Sequence, residues 1–105
     1  MTELTLQVLL ALGEGPAHGY AIGKDIETRT EGRLDPATGA LYQALRRLTD
    51  TGLIRQVASP DTADARRKYF ALTAQGRAAA ADELARLRGL VDLGRRRKLN
   101  RESSR

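Results

Sequence analysis

The chain has no cysteine and no tryptophan, and only one phenylalanine, three tyrosines and one histidine among its 105 residues. Without thiols, neither a disulfide nor a thiolate metal site can form, and His18 alone cannot build a histidine metal cluster. No cofactor is expected. With no convergent carboxylates either, there is no nucleophile–base pair and no general acid–base pair, which argues against an enzyme. No apolar run approaches the roughly 18 residues of a membrane span. The N-terminus lacks the basic flank and cleavage site of a secretory signal. These absences predict a cytoplasmic protein with no membrane partner, and the length predicts one domain with a modest core.

What is present is positive charge, unevenly spread. The net charge is +5. Residues 1–35 carry three basic and six acidic side chains, a net of −3. Residues 36–72 carry six basic and three acidic, and residues 73–105 nine basic and four acidic, for nets of +3 and +5. Basic charge therefore starts at the middle of the chain and rises toward its end, which suits an acidic partner such as nucleic acid.

The rise begins at the most informative segment, residues 36–48. Leu41, Leu45 and Leu48 recur at i, i+4, i+7 and form one apolar stripe, so the spacing predicts an amphipathic helix. Thr38, Tyr42, Gln43, Arg46 and Arg47 project elsewhere and give that helix hydroxyls, an amide and two guanidinium groups. Asp35 is placed to cap it, Pro36 suits its first position, and Gly52 suits its stop. Such a face fits a DNA major groove.

Two helices are expected upstream. Residues 2–12, with Thr2 as cap, are apolar nearly all round, so a second subunit is expected to cover part of them, with Leu4 and Val8 in the contact. Gly13-Glu14-Gly15-Pro16 breaks the chain. A second helix is expected over 18–30, its inner face set by Ile22 and Ile26, with Gly19 and Gly23 allowing close packing. Gly32 is expected to start the turn into the helix at 36–48. Helix, short turn, helix is the arrangement of a helix-turn-helix.

Downstream the period changes to that of strands, over 53–57 and 67–72, with a polar loop over 59–65 between them. Arg66, Arg67 and Lys68 stand at the base of this hairpin, and Phe70 belongs to the core. Thr73 then caps a long helix reaching about residue 98. Its Ala80, Leu84, Leu87 and Val91 follow the 4-3-4 spacing of a coiled-coil seam, widened by Leu90 and Leu93. Asp82 with Arg86, and Asp92 with Arg96, are spaced as i, i+4 ion pairs. The chain offers nothing else to cover this seam, so a homodimer is expected, with Leu84, Leu87 and Val91 at the interface.

The expected fold class is mainly α with a small β-hairpin: a winged helix-turn-helix plus a C-terminal dimerisation helix. The expected divisions are a DNA-binding domain over 1–73, the dimerisation helix over 74–98 and a flexible basic tail over 99–105.

These elements resemble the PadR family of bacterial transcriptional regulators. His18-Gly19-Tyr20 is similar to the family's HGY signature, and Gly39-Ala40-Leu41-Tyr42 followed by Leu45, Arg47 and Leu48 to its recognition-helix pattern. Gly52-Leu53-Ile54 and the run from Arg67 through Thr73, with Gly76 after it, resemble its GLI and R-K-Y-Y-x-L-T-x-x-G segments. The resemblance spans roughly residues 3–93. Ala37 stands where the family often has Ser, and Ala40 where it often has Thr or Ser, which removes two hydroxyls from the helix start.

The residue chemistry and the resemblance together imply a homodimeric regulator, a repressor of a pseudo-palindromic operator in double-stranded DNA; release by a small-molecule effector, of unknown identity, is implied by the resemblance alone. Thr38 and Gly39 would meet phosphate, and Gln43 and Arg46 would read adenine and guanine edges. Tyr42 would enter the groove or pack on the wing, Arg46 would read a base or pair with Asp50, and Arg47 would serve phosphate or the protein. Arg66, Arg67 and Lys68 would meet phosphate or minor groove, or remain solvated. Lys24 is a further backbone candidate. His18 and Tyr20 read as structural. The final helix has no aromatic residue, so either an effector uses aliphatic side chains, Tyr20, Tyr69 or the first helix, or there is none. The competing reading is a winged-helix module that holds another protein on the same basic face.

Overall fold

A computed structural model of the chain describes residues 1–36, 38–60 and 65–101, with Thr38 described by its backbone alone. The first helix, α1, runs over Glu3–Ala11 and continues into a 3-10 turn at Leu12–Glu14. Thr2 caps it as the sequence predicts, its side-chain oxygen accepting from the Thr5 amide at 3.1 Å. The expectation that a second chain must cover α1 is corrected in one respect. Val8 and Leu9 are fully buried inside the protomer, in a core shared with Leu12, Ile22, Ile26, Leu41, Leu45, Leu48, Ile54 and Phe70. Val8 is 0% exposed, so it is occupied by its own chain and withdrawn from any subunit interface. Leu4 is half-buried against the same core, and Leu10 faces outward.

A second correction concerns the segment after Pro16. Ala17–His18 is a short strand, β1, and α2 spans Gly19–Arg29 with His18 as its cap rather than its first turn. α3 spans Thr38–Asp50, β2 spans Ile54–Val57 and β3 spans Tyr69–Leu72. β1 pairs antiparallel with β3, which also pairs with β2, so the sheet has three strands in the order β1-β3-β2 instead of being a lone hairpin. Two residues are too few to show the period-two alternation that marks a strand in sequence. Both hairpin strands are also shorter than predicted. The loop between them was expected over 59–65, and its residues 61–64 lie outside the described residues.

α3 buries Leu41, Ala44, Leu45 and Leu48, the predicted stripe enlarged by Ala44. It starts two residues after Pro36, and the cap position falls on Ala37, outside the described residues. α2 and α3 end in the same way, in a Schellman motif. The Leu53 amide donates to the Leu48 carbonyl and the Gly52 amide to Thr49, with Gly52 at φ 80°. At the end of α2, Gly32 donates to Glu27 and Glu31 to Thr28, so the left-handed residue is Glu31 (φ 53°), one position before the glycine expected to make the turn. A Cβ in that region is unfavourable, and Glu31 is exposed. Glu31→Gly should therefore raise stability by about 0.5–1 kcal/mol. Thermal unfolding followed by circular dichroism checks this, and a lowered midpoint would show that the carboxylate or its Cβ has a compensating role.

The last helix, α4, covers Ala74–Arg96. Its first turn is locked to the end of α3 by one side chain. The Thr73 hydroxyl donates to the carbonyls of Gly52 (2.7 Å) and Leu53 (3.0 Å) and accepts from the Gly76 amide (3.0 Å). Gly76 is buried so closely under Leu53 that a Cβ there would lie 1.9 Å from the Leu53 carbonyl oxygen. α4 leans on α1, with Ala80 against the core. Beyond that its apolar residues emerge: Leu84 is 43% exposed and Leu90 and Val91 53% each, while Leu87 is half-buried. The Asp82–Arg86 pairing is not formed. Arg86 instead holds Glu83, three residues back, with Nη2 2.7 Å from the carboxylate, and this bond keeps the Glu83 carboxyl below the usual range. In the acidic N-terminal third, Arg33 likewise makes a two-point contact with Glu3 and Arg29 pairs with Asp25. These exposed pairs contribute little stability.

Candidate nucleic-acid interface

The side of α3 opposite its leucine stripe is open to solvent. Gly39, Tyr42, Gln43, Arg46 and Arg47 are all exposed, following the i, i+3, i+4, i+7 spacing of one helix face. Among the described residues no ion pair joins Arg46 to Asp50 or holds Arg47. Both guanidinium groups therefore remain available to an outside partner. The Thr38 side chain lies outside the described residues.

Tyr42 meets its own chain at α2. Its ring rests on the start of α2: a Cβ on Gly19 would come within 2.6 Å of the Tyr42 hydroxyl and 2.9 Å of the ring carbon that bears it. Gly19 is thus the residue that lets α3 approach α2 here, and Tyr42 is steered across α2 while 48% of its surface stays exposed. Gly23 serves the same approach one turn later, where an added Cβ would meet Leu41 at 3.2 Å.

His18 and Tyr20 complete the corner. The His18 Nδ1 stands 3.1 Å from the Ala21 amide, in capping position for α2. Tyr20 stacks on the imidazole at 6.4 Å between centroids, and Tyr69 meets it edge-on at 5.2 Å. The second contact follows from the sheet, because His18 and Tyr69 are partners in the β1–β3 register. The other ring nitrogen, Nε2, lies 2.7 Å from Nη1 of Arg67. The His18–Arg67 link spans 49 positions. Nothing local in the sequence announces it, because strand β1 brings the two residues together only through its pairing with β3.

Between α3, this corner and the base of the hairpin lies a cavity of about 660 Å³. Leu45 and Phe70 lie toward its apolar side; Tyr42 and Arg46 face it from α3, and Arg66, Arg67 and Lys68 from the hairpin. The structure therefore brings together five of the nine residues assigned to DNA, from two separate segments of sequence. Gln43 and Arg47, one position further round α3, lie outside that lining but on the same exposed side of the helix. Four cations around an open, partly aromatic concavity suit an anionic, planar partner. Of the interface residues assigned to a dimer, Leu84, Leu87 and Val91 lie on the emergent part of α4, Leu4 is half-buried on α1, and Val8 is interior.

Among the described residues no group of three or more His, Asp or Glu side chains could hold a metal ion. Among them, too, no helix is long and apolar enough to cross a membrane.

Comparison with known proteins agrees with this geometry. The model of the transcriptional regulator PadR-like family matches residues 8–82. A protein of transposon TN4556 from Streptomyces fradiae, 37.1 kDa in size, is 44% identical over 92 residues; the match covers 85% of this chain but 25% of that protein, so the chain spans about a quarter of its length. A transcriptional regulator from Clostridium thermocellum is similar in structure, with a TM-score of 0.76 at 25% identity over 89% of this chain and 87% of the other. Bacillus subtilis PadR, solved in complex with operator DNA, superposes with a TM-score of 0.69 at 24% identity, covering 79% of this chain and 47% of that one. These structural matches support the winged-helix fold of this chain. By its match over residues 8–82 and the fold that carries it, the chain belongs to the PadR-like family of transcriptional regulators.

Proposed function

We propose that the chain binds double-stranded DNA in a sequence-specific way, as a cytoplasmic homodimer that represses transcription from a pseudo-palindromic operator. The observation that carries this reading is the joint placement of the exposed α3 face and the basic hairpin base around one concavity. α3 enters the major groove, where Gln43 and Arg46 read base edges, Tyr42 and Gly39 sit at the rim, and Arg47 meets phosphate. Arg66, Arg67 and Lys68 follow the backbone beside the groove. That Bacillus subtilis PadR was solved with operator DNA supports the assignment.

Dimerisation rests on the apolar surface of α4, where Leu84, Leu90 and Val91 are exposed in the protomer. Pairing through α4 sets two α3 helices at half-sites about one turn of DNA apart. The proposed division is a DNA-binding domain over 1–73, the dimerising helix over 74–98 and a basic tail over 99–105. An effector would act near the paired α4 helices and α1, through aliphatic contacts, since α4 has no aromatic side chain.

Gln43→Ala and Arg46→Ala should each cost about 1–3 kcal/mol of binding and relax preference at a single base-pair position. The check is a titration of each variant against the duplex upstream of the chain's own coding sequence and against that duplex with single base changes. Unchanged affinity and unchanged discrimination would remove these residues from base reading. Equal binding to all duplexes by the wild-type protein would favour the module that holds another protein.

A further inference from the structure

We propose that His18 is a positioning residue for the wing: it fixes the guanidinium of Arg67 against the start of α2, so that Arg67 reaches the DNA backbone in register with α3. The inference rests on the DNA-binding reading and adds to it a residue outside the basic face. The geometry is a cross-strand one. His18 pairs with Tyr69 in the β1–β3 ladder, and Arg67 lies two residues before Tyr69, in the bend that leads into β3, within reach of the ring through its long side chain. Stacked by Tyr20 on one face and met by the edge of Tyr69, the imidazole has little freedom to turn. It therefore presents Nε2 to Arg67 in a fixed direction, at 2.7 Å.

The chemistry of the two ring nitrogens makes the role separable from that of helix capping. A guanidinium only donates, so the contact needs a lone pair on Nε2. The Ala21 amide also only donates and needs a lone pair on Nδ1. A neutral imidazole carries one proton and one lone pair, so the tautomer that accepts from Arg67 at Nε2 holds its proton on Nδ1 and leaves the Ala21 amide without an acceptor there. The oxygen of an asparagine side chain at this position sits close to the place of Nδ1 and caps well, but it is too short for Arg67. That of a glutamine reaches about as far as Nε2 and keeps an acceptor for Arg67, but it caps poorly. Two single variants thus divide the two roles.

The test measures thermal midpoints and salt-dependent affinities of wild type, His18→Asn, His18→Gln and Arg67→Ala, each intact. The probes are the duplex upstream of the coding sequence and a random duplex of equal length. His18→Asn should keep or exceed the wild-type midpoint yet lose affinity on the order of tenfold, one charge-assisted hydrogen bond's worth. Its plot of log affinity against log salt should be shallower by about one unit, as for Arg67→Ala. Combining His18→Asn with Arg67→Ala should weaken binding no further than Arg67→Ala does, whereas His18→Gln, which like the arginine-serving tautomer leaves Ala21 uncapped, should melt near the wild-type midpoint and bind nearly as wild type. Full affinity and an unchanged salt slope in His18→Asn would overturn the positioning role while leaving DNA binding in place. If the wild-type protein binds neither duplex, the DNA reading fails and this role with it.

Discussion

Gly76→Ala is expected to lower stability by about 3 kcal/mol, the upper part of the range for forced overpacking. For a domain of this size that amounts to a drop in melting midpoint of roughly 10–20 °C. The reason is the identity of the obstructing atom. A Cβ on Gly76 would sit 1.9 Å from a backbone carbonyl oxygen, that of Leu53, and no rotamer can move it aside. Relief would require lifting the first turn of α4 off the end of α3, which breaks the three hydrogen bonds that the Thr73 hydroxyl makes there. Gly89 gives the matched control. It lies in the same helix with nothing within 4 Å of an added Cβ, so Gly89→Ala should instead stabilise by up to about 1 kcal/mol. Circular dichroism melts of both variants check the pair. A Gly76→Ala protein melting within 3 °C or so of wild type would contradict the packing described between α3 and α4.

The second large effect is expected from Leu84→Glu combined with Leu87→Glu. Within the protomer Leu84 is exposed and Leu87 half-buried, so the fold should survive. In a paired α4 seam each carboxylate would be taken out of water without a partner, at a cost of several kcal/mol. A loss of about 5.5 kcal/mol is four orders of magnitude in dissociation constant, enough to leave monomers at micromolar concentration. A monomer holds a single half-site and forgoes the hundred- to ten-thousand-fold gain, roughly, of bivalent attachment. Light scattering should therefore report the monomer mass, and operator binding should vanish, with a circular dichroism spectrum like that of wild type. A double variant that stays dimeric would remove α4 from the interface.

How much of this was legible in sequence depended on whether the signal was local. The leucine stripe of α3 repeats over two turns, and its exposed face follows automatically. Thr73 as the cap of α4 is a local hydrogen bond and was equally readable. Val8 was misplaced because an apolar helix says that partners are needed but not whose they are; α2, α3 and α4 of the same chain supply them. The pairing partner of Arg86 turned on one rotamer choice between neighbours three and four residues away. The strand at Ala17–His18 exists only through its ladder to β3, so nothing within two residues could announce it. With it went the link from His18 to Arg67. The glycine at 76 was visible as part of a motif, but its physical reason lies in a carbonyl 23 positions earlier in the chain, at Leu53. Apart from the Arg86 pairing, the missed information was in each case a contact between distant segments.

The most direct test of the central claim is a fluorescence anisotropy titration of the purified protein against the duplex upstream of its coding sequence. A random duplex of equal length serves as competitor, and the titration is repeated across a range of salt. The α3 and hairpin geometry predicts that the upstream duplex is preferred by about a thousandfold or more at physiological salt. It also predicts that the preference survives while overall affinity falls steeply as salt rises. Equal affinity for both duplexes, lost together at modest salt, would contradict it.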